Sequence, residues 1–366
     1  MSLRLRRSTQ PATDRWRTLP VTPRVGTKLG FNFRLPQAEA FALDPHAALE
    51  RLHGMGFQVV RLAALWNRVE PAPRVFDPTS VDWQVEAAVR HGVEVVLSLG
   101  PVKNFGYPEF YVPRHHLPEP LPEGRLITPG THPRLAEAAL TVLQRLAERY
   151  RGVSAISAWQ VEHEAVDPLG LEHSWRLGAQ FVARELDLVR SLDPSRPVVL
   201  NGYLPMSGPV SFLQRWRTRD QGDSLAFAAA NAGIVGLDIY PCHGLAAVGS
   251  LSLYLDARHA AARRHVGAAL QEAGRHGRPV MVTEGQAEPW EAVTEPPSPM
   301  SGLATVSCPP DRLIETYNVC LDAAATVGVQ PEAYVFWGTE YWLRRERDGD
   351  STYLESAERV ISNADG

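Results

Sequence analysis

Eight short apolar runs, each followed by a stretch of helical periodicity, predict a single (β/α)8 TIM barrel for this 366-residue chain. Two further observations agree. Several runs are continuously apolar, not alternating, as strands buried on both faces are. Two of them also end in carboxylates: 153–161 leads into Glu162-His163-Glu164, and 279–283 into Glu284. Glu164 and Glu284 stand 120 residues apart. That is roughly three βα units of a barrel of about 250 residues. Charge at the end of a buried strand is costly unless it serves a site.

Taken in order, residues 1–24 are polar, Arg-rich and punctuated by proline, and read as an arm on the surface; 25–366 read as the catalytic domain. The first strand is expected at 27–33, with Asn32 near its end. Asp44-Pro45 then opens a helix, as an N-cap followed by proline should, and the helix runs to Met55 and stops at Gly56. The second strand, 58–62, carries Arg61; after a loop, a helix over 80–91 ends at Gly92 and the third strand covers 93–99. A long loop from 100 to 131 and a helix over 133–151 precede the fourth strand at 153–161. A helix over 171–192 leads to the fifth strand, 197–200, with Asn201 at its end. An interrupted helix over 212–230, the sixth strand at 234–240 and a helix over 256–274 follow. The seventh strand is 280–283, the next helix 311–327, the eighth strand 334–337, and a closing helix spans 351–361. No repeat, low-complexity linker or second core interrupts the series, so one domain is expected.

The composition narrows the function. With 44% hydrophobic and 21% charged residues the chain suits a globular core, and a net charge of −4 gives no reason to expect nucleic acid or an anionic membrane as partner. All but two of the 37 basic residues, Lys28 and Lys103, are arginine. The three cysteines are too few and too scattered for a disulfide framework. Twelve histidines show no HxH or HExxH spacing, and His115-His116, in a Pro-rich loop, does not read as a metal pair. Arg6-Arg7 is followed by Ser8-Thr9-Gln10-Pro11 where an export signal would be apolar, and no run approaches membrane length, so a cytoplasmic protein is expected.

In a barrel the C-terminal ends of the strands carry the site. Those ends are Asn32, Arg61, Lys103 or Asn104, Glu164, Asn201, Tyr240, Glu284 and Trp337. Hydroxyl, amide, carboxylate and aromatic groups together suit a sugar, whose hydroxyls need hydrogen bonds while its C–H faces stack on rings. Phe105, Tyr107, Phe110 and Tyr111 crowd the loop after the third strand and suggest a platform or lid above such a site. No metal-hydrolase motif and no Gly-rich phosphate cradle is present.

Five segments then resemble clan A glycoside hydrolases, the cellulase- and β-galactosidase-like retaining β-glycosidases. They are Arg61 with Trp66-Asn67-Arg68-Val69-Glu70-Pro71 and Phe76-Asp77; Trp159-Gln160-Val161-Glu162-His163-Glu164; Val235-Gly236-Leu237-Asp238-Ile239-Tyr240; Thr283-Glu284; and Phe336-Trp337-Gly338-Thr339-Glu340-Tyr341-Trp342. The resemblance covers roughly 27–362. It implies Glu164 as general acid/base, Glu284 as nucleophile, and Arg61 and Tyr240 as hydrogen-bond donors that keep the nucleophile charged. His163 departs from the family's asparagine, which holds the sugar 2-hydroxyl; a neutral imidazole offers one donor and one acceptor for similar work. Substrate-binding roles are expected for Arg61, His163, Tyr240, Trp337, Glu340, Asn32, Glu162, Gln286 and Trp290. Glu162 is the alternative acid/base if the strand register is displaced by two. No cofactor or metal is needed, since carboxylates supply acid, base and nucleophile. The expected partner is an oligosaccharide or glycoside. A carbohydrate-binding pseudoenzyme and a transglycosylase share the same residues and remain open.

Overall fold

The structure, a computed structural model, describes residues 2–7, 14–106, 109–122, 124–166, 175–217, 224–248, 251–257, 259–290 and 307–365. Eight strands close into one barrel in chain order: β1 (Lys28–Asn32), β2 (Val59–Ala63), β3 (Glu94–Ser98), β4 (Ile156–Gln160), β5 (Val198–Tyr203), β6 (Ile234–Ile239), β7 (Val280–Gln286) and β8 (Ala333–Trp337). All eight fall where apolar runs predicted them. Every residue of β2, β5, β6, β7 and β8 is buried, which is why those runs show little polar alternation.

By packing, the chain forms two compact units. The first comprises Met1–Gln58, Leu204–Gly208 and Asp238–Gly366. Here β7 pairs with β8 and β8 with β1, both parallel. The β7–β8 register shifts between Val282 and Gly285, a bulge that brackets Glu284. A Cβ on Gly285 would stand 2.1 Å from the Tyr334 hydroxyl oxygen, so only glycine fits where the two strands approach. Phe31, Phe57 and Phe336 stack in sequence at 5.2 and 6.0 Å to form the core. The helix Pro45–His53 begins as expected, with the Asp44 carboxylate accepting from the backbone N–H of His46 and Ala47 at 2.9 and 3.1 Å. It caps at Gly54 rather than Gly56.

Three features of this unit differ from expectation. Ser2–Arg7, within the stretch read as a polar arm, pairs antiparallel with Leu251–Asp256, which pairs in turn with Cys242–Val248. In that register Leu3 pairs with Leu255 and Leu5 with Leu253 along the backbone. The period-2 pattern was present, but arginine between the leucines hid it. The following helix accordingly begins at His259, not at Asp256. Thr339–Arg347, between the eighth strand and the closing helix, is a helix the sequence reading did not place.

The second unit comprises Val59–Tyr203 and Pro209–Leu237. In it β2, β3, β4 and β5 are successively parallel. The helix Pro133–Tyr150 buries Leu135, Ala139, Val142, Leu143 and Leu146, the spacing of a single apolar stripe. Gly92 ends the helix Thr79–His91 in the left-handed conformation that its sequence position predicted. A two-residue ladder of Leu126–Ile127 on Arg176–Leu177 shortens the next expected helix to Ala179–Leu192. Among the described residues, no helix is long and apolar enough to cross a membrane.

Candidate active site

In the second unit, β4 delivers its polar residues through a strained turn. Glu162 and Glu164 both lie in the left-handed region, at φ 55° and 41°. For residues with a Cβ this costs on the order of 1–3 kcal/mol each, and such strain gathers at functional sites. Hydrogen bonds around the turn hold it. Gln160 accepts from Arg61 Nε at 2.7 Å and donates to Asn201 Oδ1 at 3.2 Å and to the Glu162 carbonyl at 2.8 Å. The Glu164 N–H donates to the same Asn201 oxygen, also at 3.2 Å. The Asn201 amide is thereby oriented, and its Nδ2 donates to His163 Nδ1 at 2.9 Å, with Arg61 Nη2 3.4 Å away.

Those contacts fix the imidazole. With Nδ1 accepting, a neutral His163 carries its proton on Nε2. Burial, then the charges of Arg61 and Lys103, hold its pKa well below the usual value, so it stays neutral. The Arg61 guanidinium also lies over the Phe105 ring at 4.0 Å. Lys103 donates from Nζ to the Glu164 carbonyl at 2.9 Å and sits 3.6 Å from Glu109. Tyr107 lies outside the described residues.

Glu162 is committed to the chain. Its oxygens accept from the backbone N–H of Val102 and Lys103 at 3.0 and 2.5 Å, anchoring the loop after β3. Burial raises its pKa to about 7, against those two bonds, a hydrogen bond from Glu185 and the charge of Lys103. Glu185, on the helix Ala179–Leu192, is raised well above its usual value by burial and by the Glu162 charge. Burial favours the protonated form of both carboxyl groups, and the Glu162 charge adds to that on Glu185. Glu162 thereby ties the turn after β4 to the loop after β3. Both pKa values are raised on folding, so the pair's stabilising contribution is complete below the unfolded carboxyl value and is lost as pH rises through the folded ones. Denaturant unfolding of Glu185→Gln should show a shallower loss of stability between about pH 5 and 7 than the parent. An unchanged slope would contradict the raised pKa values of the pair.

In the first unit, Glu284 sits at the β7 bulge, 2% exposed, and its Oε2 accepts from the Tyr240 hydroxyl. The Tyr240 ring leans on Trp290 at 5.1 Å. Trp290 Nε1 donates to the Cys242 carbonyl at 2.5 Å, and Gln286 bonds both the N–H and the carbonyl of Cys242 at 3.3 and 3.1 Å. Asp238 accepts from the Thr283 hydroxyl at 2.7 Å. Asn32 Nδ2 donates to the carbonyls of Thr283 and Phe336 at 3.0 and 3.1 Å, which holds β7 in place.

Glu340 belongs to a buried ion-pair cluster. It is fully buried and binds Arg34 Nε and Nη2 at 2.9 and 2.7 Å, while Glu288 binds the other side of the same guanidinium at 2.6 and 2.8 Å. Trp337 lies under that guanidinium, 4.4 Å from its centre. Arg34 and Glu288 were missed in the sequence, where they stand 254 residues apart and match no motif. Among the described residues of the second unit, two groups approach metal-ligand spacing: Glu109 with His163 and Glu164, and Glu70 with His115 and His116.

Residues 45–181, less than half the chain, match the model of the glycoside hydrolase family 42 β-galactosidases. No curated protein matches the sequence. Among solved structures, the GH5_18 protein of Bifidobacterium longum aligns with a TM-score of 0.61 at 13% identity, over 92% of this chain and 79% of that one. The GH5_18 variant of Streptomyces cattleya in complex with Manβ1-4GlcNAc aligns at 0.60 and 14%, over 92% and 80%. Xylanase 10B of Thermotoga petrophila, in complex with xylobiose, aligns at 0.54 and 13%, over 95% and 99%. At such identities the likeness is one of fold. The chain shares its closed barrel with these glycoside hydrolases, and its partial family match is to a β-galactosidase model; together they support a glycosidase.

Proposed function

We propose that this protein is a retaining glycosidase that cleaves β-linked glycosides by double displacement, with Glu284 as nucleophile and Glu164 as acid/base. The observation that carries the reading is Glu284 itself. It is a carboxylate re-aimed by a bulge in a fully buried strand, with the Tyr240 hydroxyl donating to it. A hydrogen bond to the charged form favours that form, as a nucleophile requires.

In the first step Glu284 forms a bond to the anomeric carbon while the glycosidic bond breaks. The departing oxygen takes the proton of Glu164. Water then attacks the glycosyl-enzyme, gives its proton to Glu164 and restores both carboxyl groups. Retention by this route requires two carboxyl groups about 5–5.5 Å apart. The Asn201 and Lys103 contacts to the Glu164 backbone support its placement. The sugar of an aryl β-glycoside released by the protein should appear first as the β-anomer in time-resolved proton NMR. An α-anomer as first product would mean inversion.

His163 offers an Nε2–H donor in place of the family's asparagine, and is proposed to bind the sugar 2-hydroxyl. His163→Ala should lower kcat/KM for a glycoside while sparing its 2-deoxy analogue. Equal losses for both would remove that role. Aryl β-galactosides, β-mannosides and β-xylosides are the first substrates to screen, since the family match and the sugars held by similar structures favour them.

A further inference from the structure

His115 and His116 lie in the long segment between β3 and the helix Pro133–Tyr150; Glu70 follows the short helix Trp66–Val69 after β2. Neighbours in an extended chain point to opposite sides. Here the N–H groups of His116 and Leu117 both donate to the Pro113 carbonyl, at 2.9 and 3.2 Å, and the turn brings both rings to one side. Their centroids are 4.4 Å apart. His115 Nε2 stands 3.1 Å and His116 Nε2 3.0 Å from the same oxygen, Glu70 Oε1. We propose that Glu70, His115 and His116 form a binding site for a divalent cation of the zinc class, held by two imidazole nitrogens and one carboxylate oxygen with water as fourth ligand.

Bonds of about 2.0–2.2 Å in a tetrahedron place neighbouring ligand atoms about 3.3–3.5 Å apart. The three atoms already lie within 4.8 Å of one another, and the two nitrogen–oxygen distances need only open by a few tenths of an ångström. The carboxylate is oriented from behind, its Oε2 accepting from Trp66 Nε1 at 2.8 Å, the outer bond that metal ligands usually carry. The Trp66 ring packs against His116 at 4.9 Å. The side chains are 14–23% exposed, open enough for an ion to enter and for water to complete the shell.

Two imidazoles and a carboxylate suit zinc better than calcium or magnesium, which prefer oxygen. Arg74 and Arg145 line the adjoining cavity of about 260 Å³; Arg145 is stacked on Phe76 at 4.2 Å. Their charge opposes a cation and sets a ceiling on affinity. The site joins the segments after β2 and β3, so a bound ion would clip the two together. Alone, the His-His pair is unremarkable in sequence; the third ligand lies 45 residues from His115.

The test is a zinc titration of full-length, chelator-treated protein against a chromophoric competitor, with His115→Ala, His116→Ala and His163→Ala in parallel. One equivalent should bind to the parent and to His163→Ala. Each of the first two variants should bind more than about 100-fold more weakly, beyond the 10–100-fold that loss of an outer partner costs. Zinc should also raise the Tm of the parent but not of folded His116→Ala. Absence of zinc uptake by the parent, parental affinity in either His115→Ala or His116→Ala, or loss confined to His163→Ala would overturn the site.

Discussion

Glu284→Gly should lose turnover of every β-glycoside, by on the order of 10⁵–10⁶-fold, the scale on which an enzyme loses rate with its covalent nucleophile. The tyrosine hydroxyl that donates to Glu284 cannot substitute, because no intermediate forms without a carboxylate at the anomeric centre. Azide should enter the space the side chain leaves and attack directly, displacing an aryl leaving group with a single inversion. The product is then the α-glycosyl azide. Kinetics alone could reflect misfolding; the stereochemistry of a rescued product cannot. A Glu284→Gly protein that retains more than a hundredth of parental activity would remove Glu284 from the nucleophile's place.

Glu164→Ala should behave differently in kind. General acid–base help contributes about 10²–10⁴-fold, and an aryl group that leaves readily needs little of it. The first step should therefore survive for activated substrates while deglycosylation, deprived of its base, becomes slow. Intermediate accumulates on Glu284, KM falls with kcat, and azide, which needs no base, releases the β-glycosyl azide. Glu162→Ala serves as the contrast. Glu162 anchors the loop after β3 through Val102 and Lys103, so its loss should cost stability and give no azide product. A β-azide from Glu162→Ala, with Glu164→Ala behaving as the parent, would displace the acid/base by two residues.

What the sequence made legible follows from where each signal resides. Strands such as β6 and β7, buried along their whole length, left continuous apolar runs, and the helices between them left single apolar stripes closed by Gly92 or opened by Asp44. Local chemistry writes these. The antiparallel ladder of Ser2–Arg7 on Leu251–Asp256 was obscured because its alternation spans only six residues in each strand and carries arginine between leucines. Among polar residues, those at strand ends were legible one by one, but their partners were not. Asn201 reads as a strand-end amide; it lies within β5, and its orientation depends on Glu164, Gln160 and His163, all 37 to 41 residues away. Glu340 reads as a polar residue just past the eighth strand, and nothing near it in sequence announces Arg34, 306 residues earlier, which holds both its oxygens. Side-chain commitment depends on contacts distant in sequence, and no local pattern encodes it.

The assignment of Glu284 can be read without any variant. The unaltered protein is incubated with the 2-deoxy-2-fluoro β-glycoside of its preferred sugar, bearing a good leaving group, and digested for peptide mass mapping. The fluorine slows both steps, and the leaving group restores only the first, so the glycosyl-enzyme is trapped. The label should sit as an ester on Glu284, in the peptide that contains β7, at one equivalent per chain. An ester on Glu164 or Glu162, or inactivation with no label on any carboxylate, would contradict the double displacement described here.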